Sequence, residues 1–173
     1  MVHVSDPEAL FAEHHRGLFR YLCRAVGQAD VARDLTQEVF LRVTRGAVPA
    51  RPEGSLGPWL FRIARNLALD YHRARLRRPT TSSVDDDNTR SASQDVDLAV
   101  KDAIAALPAV DRDVFLMREL AGLSYEEIAR ACELTPDAVR SRIHRVRLQL
   151  RDELAAPIAT QRTIAMRRSG QKI

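Results

Sequence analysis

The feature that most restricts the fold is a polar stretch in the interior of the chain. Residues 78–97, RPTTSSVDDDNTRSASQDVD, have almost no large apolar side chain. Such a stretch cannot bury enough surface to offset the entropy that ordering costs. A chain of 173 residues can form one sizeable core or two small ones, and this break favours two. We therefore predict two domains joined by a flexible acidic linker.

Both flanking segments show the apolar spacing of α-helices, with no alternating β pattern and no internal repeat. Asp6-Pro7 is a helix start signal, and Gly27 ends the first apolar run. Further helices are predicted at roughly 30–45, 58–77, from near 96, 111–120, 125–132 and 136–154, with a Gly- and Pro-rich loop at 46–57. The predicted fold class is all-α, with small helical domains at 6–77 and 98–154, a flexible linker at 78–97 and a disordered basic tail at 155–173.

Composition excludes several classes of protein. No apolar run approaches the roughly 20 residues of a membrane span, and the N-terminus lacks a signal-peptide pattern. Cys23 and Cys132 lie far apart with no CxxC or His/Cys cluster, which favours core thiols in a reducing compartment. We expect a cytoplasmic protein without a metal or cofactor.

Two well-marked helix starts lie close together near the C-terminus. Ser124 and Glu127 match a capping box, and Thr135 before Pro136 marks the next start. A tight turn near Glu133 would join the two helices. This is the pattern of a helix-turn-helix.

The second helix of this pair carries five arginines within residues 135–151, against the single acid Asp137. Four apolar residues form a stripe that would pack on the domain: Val139, Ile143, Val146 and Leu150. A helix in the major groove presents outward residues to base edges and flanking cations to phosphates. The residues predicted to bind DNA are Asp137, Arg140, Ser141, Arg142, His144, Arg145 and Arg147. The alternative is a solvated basic helix that merely covers a core.

Residues 58–78 predict a second basic helix of a different kind. Its buried stripe would comprise Leu60, Ile63, Leu67 and Tyr71. The other side would present Trp59, Arg62, Asn66 and Arg73. An exposed aromatic ring and an amide among arginines suit unpaired DNA, because splayed bases can stack on the ring. The alternative is that Trp59 simply caps a three-helix core.

Four motifs occur in an order that resembles a known family. They are DLTQEVFLRV (34–43), PWLFRIARNLALDYHRAR (58–75), LPAVDRDVFLMREL (107–120) and the helix-turn-helix. Together they closely resemble the extracytoplasmic-function group of bacterial sigma-70 factors over about residues 6–154. The resemblance implies two helical domains that bind core RNA polymerase and direct it to promoters. The first would read and melt the −10 element, and the second would read the −35 element.

The resemblance also implies roles for single residues. Asp34, Gln37 and Glu38 lie in the segment that binds the clamp helices of core polymerase. Asn66 matches a position that captures a flipped −10 base, which makes its face of the helix the −10 surface. The positions that read the −35 element are matched by Arg140, Ser141, His144 and Arg145. The resemblance further implies a linker that enters the polymerase cleft and an anti-sigma factor, often membrane-bound, as partner.

Two other classes of function are less consistent with the sequence. A helix-turn-helix regulator that does not bind core polymerase would fit residues 107–154, but residues 1–77 lack the strand–helix alternation of a receiver domain. DNA would also repel the acids of DLTQEV. For an enzyme, His14-His15 and His72 form the only candidate cluster, without HExxH or similar spacing. We expect no catalytic residue and no small-molecule substrate.

Overall fold

The computed structural model describes residues 7–46, 55–77 and 92–169, with side chains described for 8–46, 55–77 and 98–155. These ranges contain seven α-helices and no strand, which confirms the all-α prediction. The helices are α1 Pro7–Val26, α2 Ala29–Thr44, α3 Gly57–Arg77, α4 Ala92–Ala106, α5 Ala109–Ala121, α6 Tyr125–Cys132 and α7 Pro136–Ser169.

The structure differs from the sequence predictions at two boundaries. α4 begins at Ala92, inside the stretch predicted as linker, and residues 78–91 and 47–54 lie outside the described part of the chain. α7 continues to Ser169, so residues 155–169 are helical where a disordered tail was predicted. An established helix extends at little cost per residue, and good helix formers surround Pro157 in this segment.

The first half of the chain is a three-helix unit built around α1. Leu18, Tyr21 and Leu22 of α1 are fully buried, since the helical repeat brings these positions to one face. The ring of Tyr21 meets that of Phe61 on α3 edge to face, with centroids 5.7 Å apart. α2 buries Val39 and Val43 against the same core.

In the second half, α7 packs through the apolar stripe that the sequence predicts. Val139 and Ile143 lie in the main hydrophobic core. Further along, Val146 and Leu150 form a smaller cluster with residues of α4 and the turn after it. The stripe prediction is therefore confirmed, and it orients the opposite face of α7 toward solvent.

The two halves share one hydrophobic core, where two small cores were predicted. α1 packs on α5 and α3 packs on α6, so buried residues of both halves belong to a single cluster. α3 consequently buries Phe61, Ala64 and Ala68 as well as the predicted Leu60 and Leu67. Ile63 and Tyr71, also predicted in its buried stripe, are only half-buried.

Candidate nucleic-acid interface

The helix-turn-helix is set by hydrogen bonds at its helix starts. The Glu127 N–H donates to Ser124 Oγ at 3.1 Å, and the Ser124 N–H donates to Glu127 Oε2 at 2.9 Å, which completes the predicted capping box. The Ala138 N–H donates to Thr135 Oγ1 at 3.2 Å and caps α7. Between the helices, Glu133 adopts the left-handed conformation with φ 58°. This turn fixes where α7 begins.

The outward face of α7 is open to solvent at all four positions that the family resemblance assigns to base reading: Arg140, Ser141, His144 and Arg145. Among the described residues, His144 and Arg145 have neither a hydrogen-bond nor an ion-pair partner. Arg140 donates to Asp137 Oδ1 at 3.0 Å, and its guanidinium lies 5.6 Å from the centre of the Tyr125 ring. The free donors of this face can therefore reach a ligand without breaking a tertiary contact.

Two other arginines of α7 contact α5 instead. Arg142 donates to Asp111 at 2.5 Å, and Arg147 donates to Glu119 at 2.7 Å. The hydrogen bond to Glu119 raises the pKa of Arg147 above its ordinary value. Both were predicted to bind DNA, so any phosphate contact they make must compete with these pairs. Part of the negative charge facing this basic helix thus comes from the chain itself.

On α3, the predicted −10 residues divide into two sets. Asn66 and Arg73 are exposed, and Arg73 makes only a 3.5 Å contact with Asp70. Trp59 is half-buried, and the Arg62 guanidinium lies 5.2 Å from the centre of its ring. Arg62 also forms an ion pair with Glu133, the residue at the turn of the helix-turn-helix.

A buried polar network lies beside this face. Tyr21 Oη donates to Asp113 Oδ1 at 3.0 Å, and Arg65 Nε donates to Asp113 Oδ2 at 2.9 Å. Burial raises the pKa of Asp113, although the bonds from Tyr21 and Arg65 oppose the shift. Burial, together with the Asp113 charge, raises the pKa of Tyr21 well above its ordinary value. One carboxylate of α5 thus contacts two helices of the first half.

The candidate core-polymerase residues lie together on α2. Spacings of three and four place Asp34, Gln37 and Glu38 on one face, and Asp34 and Gln37 are exposed. Glu38 accepts a hydrogen bond from Arg42 at 2.7 Å. Leu41, one turn after Gln37, is 46% exposed. An acidic surface with an exposed apolar residue suits a protein partner better than DNA.

Two of the histidines considered for catalysis make contacts within the helical fold. The His72 Nε2 lies 2.9 Å from the Ala25 carbonyl, and the His15 ring packs 4.4 Å from that of Phe11. In the part of the chain that the structure describes, no three His, Cys, Asp or Glu side chains are grouped closely enough to hold a metal ion. Within the same residues, none of the helices has both the length and the apolar character needed to cross a bilayer.

Comparison with known proteins identifies both halves. The family model for sigma-70 region 2 matches residues 10–78, and that for sigma-70 region 4 matches residues 97–150. The ECF RNA polymerase sigma-E factor of Escherichia coli (strain K12) is 36% identical, over 72% of this chain and 73% of its own length. The chain belongs to the extracytoplasmic-function group of sigma-70 factors. It is an alternative sigma factor.

Three further comparisons extend this result. The ECF RNA polymerase sigma factor SigE of Mycolicibacterium smegmatis is 36% identical to this sigma factor, over 86% of this chain but only 61% of its own length. The structure of CnrH in complex with the cytosolic domain of CnrY superimposes with a TM-score of 0.65 at 25% identity, covering 87% of this chain and 88% of CnrH. The co-crystal structure of the sigma factor RpoE with the anti-sigma factor NepR from Bartonella quintana superimposes with a TM-score of 0.66 at 23% identity, covering 88% of this chain and 98% of RpoE. The helical fold is thus shared with a solved sigma factor.

Three residues of this site were not predicted from the sequence. Asp113 and Tyr21 are 92 positions apart, so no local pattern connects them. Tyr125, at the start of α6, lies beneath both Arg118 and Arg140, with its ring centre 5.2 and 5.6 Å from their guanidinium carbons. Its place at the first helical position after Ser124 was visible in the sequence, but the crossing of α6 and α7 was not.

Proposed function

We propose that this sigma factor binds core RNA polymerase through α2, holds unpaired −10 DNA on α3 and reads the −35 element with α7. The observation that carries the proposal is the open face of α7. Four polar side chains there stand opposite the buried stripe, on a helix whose start is capped by Thr135. A helix that presents its N-terminal side chains in this way fits the major groove.

Within α7, the roles divide by exposure. Arg145 and His144 are the readers of base edges, since nothing in the described structure occupies their donors. Arg forms two parallel hydrogen bonds with guanine O6 and N7, so Arg145 favours a guanine in the −35 element. Asp137 orients Arg140 from one side of the same face. Arg142 and Arg147 act mainly by holding α7 on α5.

On α3, Asn66 and Arg73 offer a hydrogen-bonding amide and a cation to an extruded base and its backbone. Trp59 supplies a ring on which a base can stack once the Arg62 guanidinium, which lies 5.2 Å from the ring centre, moves aside. Replacing Asn66 with Ala should impair open-complex formation more on duplex promoters than on pre-melted ones. Equal impairment on both templates would show that Asn66 has no role in melting the promoter.

Core polymerase would bind the acidic face of α2. The chain contributes no chemistry of its own in this proposal, because core polymerase carries out RNA synthesis. The site of action is the cytoplasm, where polymerase and promoter DNA are located. An anti-sigma factor, either soluble or membrane-bound, is the proposed regulator, since RpoE of Bartonella quintana was solved in complex with the anti-sigma factor NepR.

The deciding experiment is co-elution of the purified chain with sigma-free core polymerase on size exclusion. The wild type should co-elute, and reversing both acids (Asp34→Lys with Glu38→Lys) should abolish co-elution. Asp70→Lys, an exposed acid on α3, is the matched control and should retain it. Folded wild-type protein that does not co-elute would make the chain a DNA-binding regulator without sigma activity.

A further inference from the structure

α1 carries a row of arginines on its solvent side. Arg16, Arg20 and Arg24 are spaced four residues apart, and all three are exposed. At 100° per residue they lie on the side of α1 opposite Leu18 and Leu22, which are fully buried. We call this row the α1 ridge. It belongs to none of the three surfaces proposed for core polymerase, −10 DNA and −35 DNA.

The α1 ridge has no counter-charge in the part of the chain whose side chains are described. There, Arg16, Arg20 and Arg24 form neither a hydrogen bond nor an ion pair. On α2, Arg33 and Arg42 instead pair with acids of their own helix. Like charges four residues apart destabilise a helix. The fold therefore gives no reason for this row, whereas a bound polyanion would neutralise it.

A groove beside the α1 ridge offers apolar side chains as well as cations. Its volume is about 360 Å³, and Arg16 and Arg20 line it together with Phe61 of α3 and Leu120 of α5. Glu13 is the single acid in this lining. A planar base can lie against apolar side chains while its phosphate meets a guanidinium. The groove thus offers both contacts that a nucleotide needs.

The length of the α1 ridge favours a strand over a free nucleotide. An α-helix rises 1.5 Å per residue, so the ridge spans about 12 Å from the first arginine to the third. This length corresponds to roughly three to four nucleotide steps of 3.4 Å each. A single nucleotide in the groove would leave Arg24, which does not line it, without a phosphate. A base can enter the groove only from an unpaired strand.

We propose that the α1 ridge and its groove form a further binding surface for an unpaired nucleic-acid strand. Phosphates bind to Arg16, Arg20 and Arg24, and one base lies in the groove. Binding is independent of sequence, because backbone phosphates and base faces are common to all nucleotides. This surface requires neither the proposed −10 role of α3 nor the −35 role of α7.

The first test compares two variants that lose the same charge. The full-length protein is titrated into a fluorescent oligothymidylate of about 12 nucleotides, within the usual site size for single strands. The ridge variant (Arg16→Gln, Arg20→Gln, Arg24→Gln) should bind at least fivefold more weakly than the wild type. The control variant, from the exposed surface of α2, should lose less than twofold: Arg33→Gln, Arg42→Gln, Arg45→Gln. Equal losses in the two variants would overturn the inference.

The salt dependence of binding gives an independent measure of phosphate contacts. Each contact to a single strand contributes about 0.7 to the slope of log K against log salt concentration. The ridge variant should therefore have a slope smaller than that of the wild type by about 2, and the α2 variant should keep the wild-type slope. An unchanged slope in the ridge variant would mean that these arginines contact no phosphate.

The groove is tested with an abasic strand of the same length, which carries the phosphates without the bases. The wild type should bind the oligothymidylate at least threefold more tightly than the abasic strand. Trp59→Leu, which removes the ring proposed for stacking on α3, should keep this preference. Equal binding of the two strands by the wild type, or loss of the preference in Trp59→Leu, would contradict a base in the groove.

Two competitors identify the class of ligand. ATP and a glutamate decapeptide are each added to the complex of wild type and labelled oligothymidylate. Neither should displace the strand at about ten times the concentration at which unlabelled oligothymidylate does. Displacement by ATP that depends on Arg16 and Arg20 but not on Arg24 would assign the groove to a free nucleotide. Displacement by the peptide would assign the ridge to an acidic protein segment, and either result would overturn the inference.

Discussion

α3 and α7 are both arginine-rich helices, yet their arginines have different surroundings. On α3, Arg62 and Arg65 face the other half of the molecule and pair with its acids. On α7, Arg145 is exposed to solvent, and Arg140 forms its ion pair with Asp137 of its own helix. The comparison shows that the count of arginines on a helix does not define its role. The position of acids elsewhere in the fold decides which cations are free for DNA.

The same contrast exists within α7. Arg142 and Arg147 pair with Asp111 and Glu119 of α5, while Arg145 lies on the opposite side of the helix from the stripe. A partly exposed pair such as Arg147–Glu119 contributes at most about 1 kcal/mol. The Arg147–Glu119 pair therefore contributes more to the orientation of α7 than to stability.

The largest effect is expected at Asp113, the buried carboxylate that accepts hydrogen bonds from Tyr21 of α1 and Arg65 of α3. Asp113→Ala would leave the Tyr21 hydroxyl and the Arg65 guanidinium without their carboxylate in a buried site. Breaking a buried pair in this way costs about 3–5 kcal/mol in free energy of unfolding. Urea denaturation measures the loss, with the exposed Asp102→Ala as control at no more than about 0.5 kcal/mol. A loss as small as the control's would mean that Asp113 is solvated in solution.

On α7, we expect the exposed Arg145 to contribute to DNA recognition and Arg147, which is paired with Glu119, to contribute much less. Arg145→Ala should weaken binding to a −35 duplex, first selected from random sequences, by about 1–3 kcal/mol. Arg147→Ala should weaken binding by a smaller amount, which should be equal for the selected and the scrambled duplex. Fluorescence anisotropy at fixed salt gives both values. Equal loss on both duplexes for Arg145→Ala would reduce it to a phosphate contact.

A smaller effect is expected at Tyr125, whose ring lies beneath Arg140. Tyr125→Leu should reduce affinity for the selected duplex by about 0.5–1 kcal/mol, the usual contribution of an exposed cation–π contact. Tyr125→Phe keeps the ring and should bind like the wild type. If Tyr125→Phe loses as much affinity as Tyr125→Leu, the hydroxyl rather than the ring of Tyr125 supports DNA binding.

The smallest effect is a pH dependence at the capping box. Burial would raise the pKa of Glu127, but hydrogen bonds from Ser124 and Ser55 outweigh it and lower the pKa. A carboxyl whose folded pKa is lowered stabilises the fold above its unfolded pKa and loses this contribution as pH falls through the folded value. The free energy of unfolding of the wild type should therefore exceed that of Glu127→Gln by about 0.3–1 kcal/mol at neutral pH, the usual contribution of a carboxylate at a helix start.

Urea denaturation between pH 7 and pH 3 tests this sign. The difference between wild type and Glu127→Gln should shrink as the pH falls below about 4.5, the ordinary value for Glu. Asp113 contributes in the opposite sense, because its raised pKa makes the folded chain bind a proton more readily than the unfolded chain. Subtracting the Gln variant cancels that background. A stability difference that stays constant with pH would show that folding does not lower the pKa of Glu127.

Local patterns predicted most of the helices and the start of α7. Ser124 and Thr135 are caps that act within a few residues, so their hydrogen bonds could be derived from the sequence. The stripe on α7 followed from the helical repeat alone. In contrast, the partners of Arg142 and Arg147 lie 31 and 28 positions away on another helix. Only the packing of α5 brings those acids to the arginines.

The shared core was also beyond local pattern, although one signal was present. Phe61, Ala64 and Ala68 repeat at helical spacing directly beside the predicted stripe of α3, so the apolar surface of this helix is wider than the stripe alone. The extra width indicated that more of the chain would cover α3, but not which part.

Gly17 sets a size limit where α1 meets α5. A Cβ at this position would lie 3.2 Å from Ala121 Cα and 3.4 Å from Ala121 Cβ, so a larger residue would require α5 to shift. Glycine inside a helix is unfavourable by about 0.5–1 kcal/mol relative to alanine. α1 thus gives up some intrinsic helix stability so that the backbone of α5 can approach it.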